Sequence, residues 1–253
     1  MLLDFILSSR LFNWFFGTMH GRDERIDAAA ARGALSAFAF AVLAGCGGGG
    51  GGSGGAPMAL LPAAPKEQPA EQPIKPPPIC SVTLYGDSIL HGGTVAGQLL
   101  ETPAAAIQRM RPMYRLVDRS RNGDSVLLRL PSFLADQIDT RFVVIEHGMN
   151  DAGNGFDYRE PLRSMVQRVK ALKATPVVTG LSHVRGAPAW RDTYDALARQ
   201  VATEEGAIFA DWGAAPYSDA DMADDVHPAQ AYSTRLVDKL VRALDAAAPE
   251  CQS

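Results

Sequence analysis

Cysteine is scarce in this chain, aromatic residues are few, and neither sign of charge dominates. Three cysteines in 253 residues exclude a scaffold held together mainly by disulfides, the usual solution for small secreted domains. A formal net charge of −4, with the basic residues scattered, gives no groove that would track phosphates and argues against nucleic acid or an anionic lipid surface as partner. The apolar stretch from Gly33 to Leu43 (GALSAFAFAVL) falls short of the about 20 residues needed to cross a bilayer as a helix. No internal repeat is present, and no long apolar insertion suggests a lid for bulk lipid.

That same stretch has the layout of an export signal. Arg22, Arg25 and Arg32 precede it, and it runs into Leu43-Ala44-Gly45-Cys46. A basic region, a short apolar centre and small residues are the parts of a secretory signal. The cysteine directly after Leu-Ala-Gly resembles a bacterial lipoprotein signal, which implies lipid attachment at Cys46 and a place in the cell envelope or periplasm; a signal cut elsewhere, with Cys46 incidental, is the plainer alternative. Met1 to Thr18 adds an apolar, aromatic stretch ahead of the basic region, so Met19 is the expected translation start. Residues 1–45 are thus read as leader. Residues 46–79, almost all glycine to Gly55 and then rich in proline, are read as a disordered spacer, because glycine costs much entropy to order and proline favours extended chain.

Residues 80–253 have the size of one domain. Five short apolar runs in it read as buried strands: Val82–Tyr85, Tyr114–Val117, Phe142–Ile145, Pro176–Leu181 and Ala207–Ala210. Most carry β-branched residues, as strands covered on both faces do. Helices are expected over Ala104–Met110, Ser125–Ile138, Glu160–Leu172 and Trp190–Val201. A last one opens with Pro228 at its first position and repeats Tyr232, Leu236, Leu240 and Leu244 at every fourth residue. Alternating strands and helices predict an α/β domain, a mostly parallel sheet of about five strands with helices on both faces. Such sheets bind ligands outside the carboxyl ends of their strands. Cys80 and Cys251 stand at the two ends of the domain; ends are often close and an exported protein meets oxidising conditions, so a disulfide between them is a fair expectation against two free thiols.

Four segments fall at those strand ends or in a late loop: Gly86-Asp87-Ser88-Ile89, Asn122-Gly123-Asp124-Ser125, Gly148-Met149-Asn150-Asp151 and Asp224-Asp225-Val226-His227-Pro228. Taken singly, each also reads as an ordinary turn, strand-end loop or acidic helix entrance. Together they hold what attack on an acyl carbonyl requires. Ser88 supplies a hydroxyl at the sheet edge. His227 supplies a base, which a serine nucleophile needs. Asp224, three residues earlier, supplies a carboxylate to fix the imidazole tautomer; Asp225 is a competitor less suited to reach back. The backbone N–H groups of Ser88 and Gly123 and the amide of Asn150 are candidate donors to an oxyanion. Among the other histidines, His20 lies in the leader, His91 and His147 read as structural, and His183 as a candidate substrate contact.

The four segments, in this order, resemble the SGNH (GDSL-type) hydrolase superfamily across essentially the whole domain. Gly-Asp-Ser-Ile matches its first block, Gly123 its second, Gly-Met-Asn-Asp its third and Asp-Asp-Val-His-Pro its last, with Ile89 in place of the commoner leucine. The resemblance implies a three-layer flavodoxin-like fold, a Ser88/His227/Asp224 triad, an oxyanion hole from Ser88, Gly123 and Asn150, and neither metal nor organic cofactor. The expectation is a monomeric, lipid-anchored serine ester hydrolase that meets the membrane only through its anchor and acts on small or water-accessible esters. An O-acetyl esterase on envelope polysaccharide or peptidoglycan is the alternative within enzymes. A non-catalytic lipoprotein that binds a glycan or acyl group is the alternative of another class.

Overall fold

The structure, a computed structural model, describes residues 79–252. The leader, Cys46 and the Gly/Pro-rich spacer up to residue 78 lie outside the described residues.

Strand β1 (Ser81–Gly86) is buried along its whole length, which follows from its place between two other strands. It pairs in parallel with β4 (Arg115–Asp118) on one side and with β5 (Phe142–Glu146) on the other. Beyond β5 come β6 (Thr175–Thr179) and β7 (Ile208–Ala210), again parallel, giving the order β4-β1-β5-β6-β7. The chain leaves β1 for one edge and then returns to build the other. The point of reversal therefore lies between β1 and β5, where a doubly wound sheet opens a crevice at its carboxyl edge. Each of the five expected strands is present, with ends shifted by at most two residues.

Side chains alternate across this sheet and divide the core in two. Val82 and Leu84 of β1 and Phe142 and Val144 of β5 pack with helices α2 (Pro103–Met110) and α7 (Gln230–Ala247). Tyr85, Val143 and Ile145 face the opposite layer of α3 (Val126–Ala135), α5 (Arg159–Ala171) and α6 (Ala189–Glu205). The three layers follow from period-two strands meeting amphipathic helices.

Helix α7 illustrates which term dominates. It begins at Gln230 after Ala229, with no side-chain cap, so Pro228 is not its first residue; Pro228 instead forms a bridge to Met222 that closes the preceding loop. A missing cap costs about 0.5–2 kcal/mol. Tyr232, Leu236, Leu240 and Leu244 are all buried, and burying each such side chain is worth about 1.5–3 kcal/mol. Packing, not capping, decides that this helix forms.

Four short elements had no strong periodic signal in the sequence. Helix α1 (Ser88–His91) is one turn. Strands β2 (Gly93–Thr94) and β3 (Gly97–Gln98) pair as a small antiparallel hairpin directly after it. Helix α4 (Met149–Asn154) occupies what reads as a loop. At the far ends of the domain, Cys80 and Cys251 are joined in a disulfide, their Cα atoms 5.6 Å apart.

Candidate active site

The turn after β1 builds the first part of the site. Asp87 caps α1, its Oδ1 accepting the N–H of Ile89 at 2.9 Å, and this turns the chain so that Ser88 opens the helix at the sheet's carboxyl edge. Gly86 is required there by close approach: a Cβ on it would lie 2.6 Å from Oε2 of Glu146 and 2.7 Å from the carbonyl oxygen of the same residue.

The loop before α7 brings the second part. Nε2 of His227 lies 2.9 Å from Oγ of Ser88. Nδ1 of the same ring lies 2.9 Å from both carboxylate oxygens of Asp224. A carboxylate only accepts, so the proton rests on Nδ1 and Nε2 is left to accept from the serine hydroxyl. Asp224 is fixed in turn by its own loop, its Oδ1 accepting the N–H of Val226 at 2.9 Å and of His227 at 2.8 Å. Burial alone would raise its carboxyl, but these donors, the N–H of Val95 and the neighbouring imidazole outweigh that and hold it below the usual carboxylate value. Asp225, the competitor in the sequence, turns away to Arg185 at 3.4 Å.

The third part comes from the ends of β4 and β5. Gly123 has φ 73°, with nothing within 4 Å of where a Cβ would stand, so its backbone is open on that side. Asn150, in the first turn of α4, reaches both neighbouring segments. Its Nδ2 donates to the carbonyl of Asp124 at 2.9 Å and makes a longer contact of 3.4 Å to Oδ2 of Asp87. It is thus tied to the residue after Gly123 and to the residue before Ser88. Gly148, with φ 127°, makes the tight turn from β5 into α4 and packs against Leu181 and Tyr158.

Behind the serine lies a buried acidic layer that the sequence reading missed. Gly86 and Glu146 are register partners in β1 and β5, and Glu146 is 3 % exposed. Its Oε2 accepts the N–H of Asp87 at 3.1 Å. Burial, then the neighbouring Asp87 charge, pushes the Glu146 carboxyl well above the usual carboxylate value. Burial also pushes Asp87 up, to about 6. Asp151, fully buried, accepts the N–H of Val126 at 3.1 Å and so supports the start of α3. The one available signal was Glu146 itself, a charged residue ending an otherwise apolar strand run.

The remaining histidines are placed as follows. His147 is buried, 3.6 Å from Asp124, and Nδ1 of His91 meets Oγ of Ser120 at 3.2 Å. His183 is engaged by the protein: its Nε2 meets the carbonyl of Gly213 at 2.9 Å and its ring stacks on Tyr217. Among the described residues no group of three His, Cys, Asp or Glu side chains is arranged to hold a metal ion.

A parallel α/β sheet with a serine, an imidazole and a carboxylate in hydrogen-bonded series at its carboxyl edge defines the class of serine ester hydrolases. Residues 84–233 match the GDSL-like lipase/acylhydrolase family, and the chain belongs to it. Among solved structures it is similar to TesA, with 26 % identity over 66 % of this chain and 98 % of that one, at a TM-score of 0.55. Two further likenesses are of fold. One is to Axe2, an acetylxylan esterase from Geobacillus stearothermophilus, with 20 % identity over 65 % of this chain and 93 % of that one, TM-score 0.53. The other is to the psychrotrophic esterase EstA from Pseudoalteromonas sp., with 19 % identity over 66 % and 97 %, TM-score 0.54. No curated protein sequence matches the chain.

Proposed function

We propose that Ser88, His227 and Asp224 carry out ester hydrolysis through an acyl-enzyme. The observation that carries this reading is the unbroken series from Ser88 Oγ through the His227 ring to Asp224, each step 2.9 Å. The serine oxygen attacks the acyl carbonyl while Nε2 of His227 takes its proton. The carbonyl oxygen becomes an oxyanion, for which the N–H groups of Ser88 and Gly123 and the amide of Asn150 are the donors. For Asn150, one amide hydrogen stays on the Asp124 carbonyl, and the long contact to Asp87 is the one an oxyanion would compete with. Collapse expels the alcohol, protonated by the imidazolium. Water, deprotonated by the same imidazole, then releases the acid and restores the serine.

Small or water-accessible carboxylic esters are the substrates this reading favours, since no long apolar insertion in the sequence suggests a lid. A second reading, de-O-acetylation of envelope polysaccharide or peptidoglycan, draws on the fold likeness to an acetylxylan esterase. The signal-like stretch ending at Cys46 supports export and lipid anchoring in the envelope, and the Cys80–Cys251 disulfide suits an oxidising compartment. A glycan-binding protein without turnover would have no use for a base aligned on the serine.

The test is covalent labelling. A fluorophosphonate should label the folded protein stoichiometrically, and Ser88→Ala should abolish labelling and lower kcat on p-nitrophenyl acetate by about three to six orders of magnitude. Turnover retained by that variant would refute the triad. A chain-length series of p-nitrophenyl esters beside acetylated xylan and acetylated peptidoglycan separates the two substrate readings.

A further inference from the structure

The Asp224 carboxylate receives one hydrogen bond from far along the chain. The N–H of Val95 donates to Asp224 Oδ2 at 3.1 Å across 129 residues of sequence; the other donors to that carboxylate come from its own loop. Val95 is at the tip of the β2–β3 hairpin, which begins where α1 ends. We infer that this hairpin keeps the acid end of the triad in register with the serine, and that Val95 is a positioning residue acting through its backbone N–H. The inference rests on the triad proposed above.

The geometry forms a closed circuit. From Ser88 the chain runs through one helical turn, and the N–H of Gly92, at φ 81°, donates back to the carbonyl of Ser88. The hairpin is then made rigid in its own right. The N–H of Leu99 donates to the carbonyl of Gly92 at 2.8 Å, Thr94 Oγ1 donates to the carbonyl of Gly97 at 3.1 Å, and Gln98 Nε2 donates to the carbonyl of His91 at 3.3 Å. At its base, Gly93 lies against Asn122, so closely that a Cβ would stand 2.3 Å from Asn122 Oδ1. The hairpin thus touches the residue before Gly123 with one end and the triad carboxylate with the other. From Asp224 the circuit passes through the His227 ring and returns to Ser88 Oγ.

Without the Val95 donor, the Asp224 carboxylate would be held only by its own loop, and would meet the segment that carries the serine only through the His227 ring. A small misplacement of one reacting group is enough to slow chemistry without weakening substrate binding. The side chain of Val95 is largely exposed, so the role belongs to the main chain and is separable from packing.

Val95→Pro deletes the donor. In the full chain, with folding checked by circular dichroism, kcat on p-nitrophenyl acetate should fall roughly 10-fold or more, with KM held within about twofold. The low-field Nδ1–H proton resonance of His227 should shift or broaden. The conservative variant Val95→Ala, which keeps the N–H, should restore both. Wild-type kcat and an unmoved resonance in folded Val95→Pro would overturn the inference. A second measurement holds if that variant does not fold: the Val95 amide should be protected from hydrogen exchange in the wild type and exposed in Asp224→Ala, and equal exchange in the two would overturn it. Ser88→Ala, run alongside, separates the two levels. Activity surviving that change refutes the triad itself, whereas an inactive Ser88→Ala with a fully active Val95→Pro refutes only the role of the hairpin.

Discussion

Asp87 illustrates how a residue beside Ser88 can matter through its charge state. It is buried, caps α1 and stands beside Glu146, with its carboxyl pushed up to about 6. A carboxyl raised in the folded state favours folding most when it is protonated. Its contribution is therefore full below about pH 4, the value of a free carboxyl, and is lost as pH rises through about 6. Asparagine keeps the cap but carries no proton to lose. The thermal midpoint of Asp87→Asn relative to wild type should rise between pH 4 and pH 7, helped by relief of the Glu146 carboxyl; a pH-independent difference between the two proteins would contradict this. The pairing of Asp224 with His227 could be read from sequence because the two belong to one short loop and the loop's chemistry is local. The Asp87–Glu146 pair could not, because it exists only once β1 and β5 are in register across 59 residues.

Among the elements, the turn from β1 into α1 is the most constrained by space. Gly86 opposes Glu146 on the neighbouring strand, and a methyl group there would also meet Leu90 at 2.8 Å. Gly86→Ala overpacks this turn, and such changes cost about 1–3 kcal/mol. Chemical denaturation should show the loss, and because the shift falls next to Ser88, kcat should fall with it. The long elements were legible because their signals are periodic: α7 repeats a buried residue every fourth position, and the strands are apolar runs ending near glycine. The short ones were not. Two-residue strands carry no period, so the β2–β3 hairpin left no pattern to read. Helix α4 contains Asn and Gly, which favour turns, and it forms because Gly148 turns the chain into it and Asp151 buries a carboxylate that holds the N–H groups of Val126 and Leu127. Pro228 misled for a related reason, since a proline that opens a helix and one that closes a loop look alike in sequence.

On the scale of the whole molecule, the strand order places reversal, serine and asparagine at one crevice, so topology alone brings residues 88 and 150 to the same edge. The loop between the last strand and the last α-helix then carries residue 227 back to it. Joining Cys80 to Cys251 closes nearly the entire domain into one loop, with a sequence separation of 171. Losing such a native link typically costs about 2–5 kcal/mol. Reduction, or Cys80→Ser with Cys251→Ser, should therefore lower the thermal midpoint by about 4–20 °C, taking about 2–4 °C per kcal/mol for a domain of this size. Unchanged melting with and without reductant would show that the link contributes nothing.

With Cys80 and Cys251 only 5.6 Å apart between Cα atoms, the domain is close to being a ring. A short peptide could sew its two ends together, and the ring could be cut instead at the exposed turn around Gly186. Such a permuted chain would present the histidine block before the serine block and still assemble the same crevice. The familiar order of the four segments is then a record of where the ring happens to be opened, and not a requirement of the chemistry performed inside it.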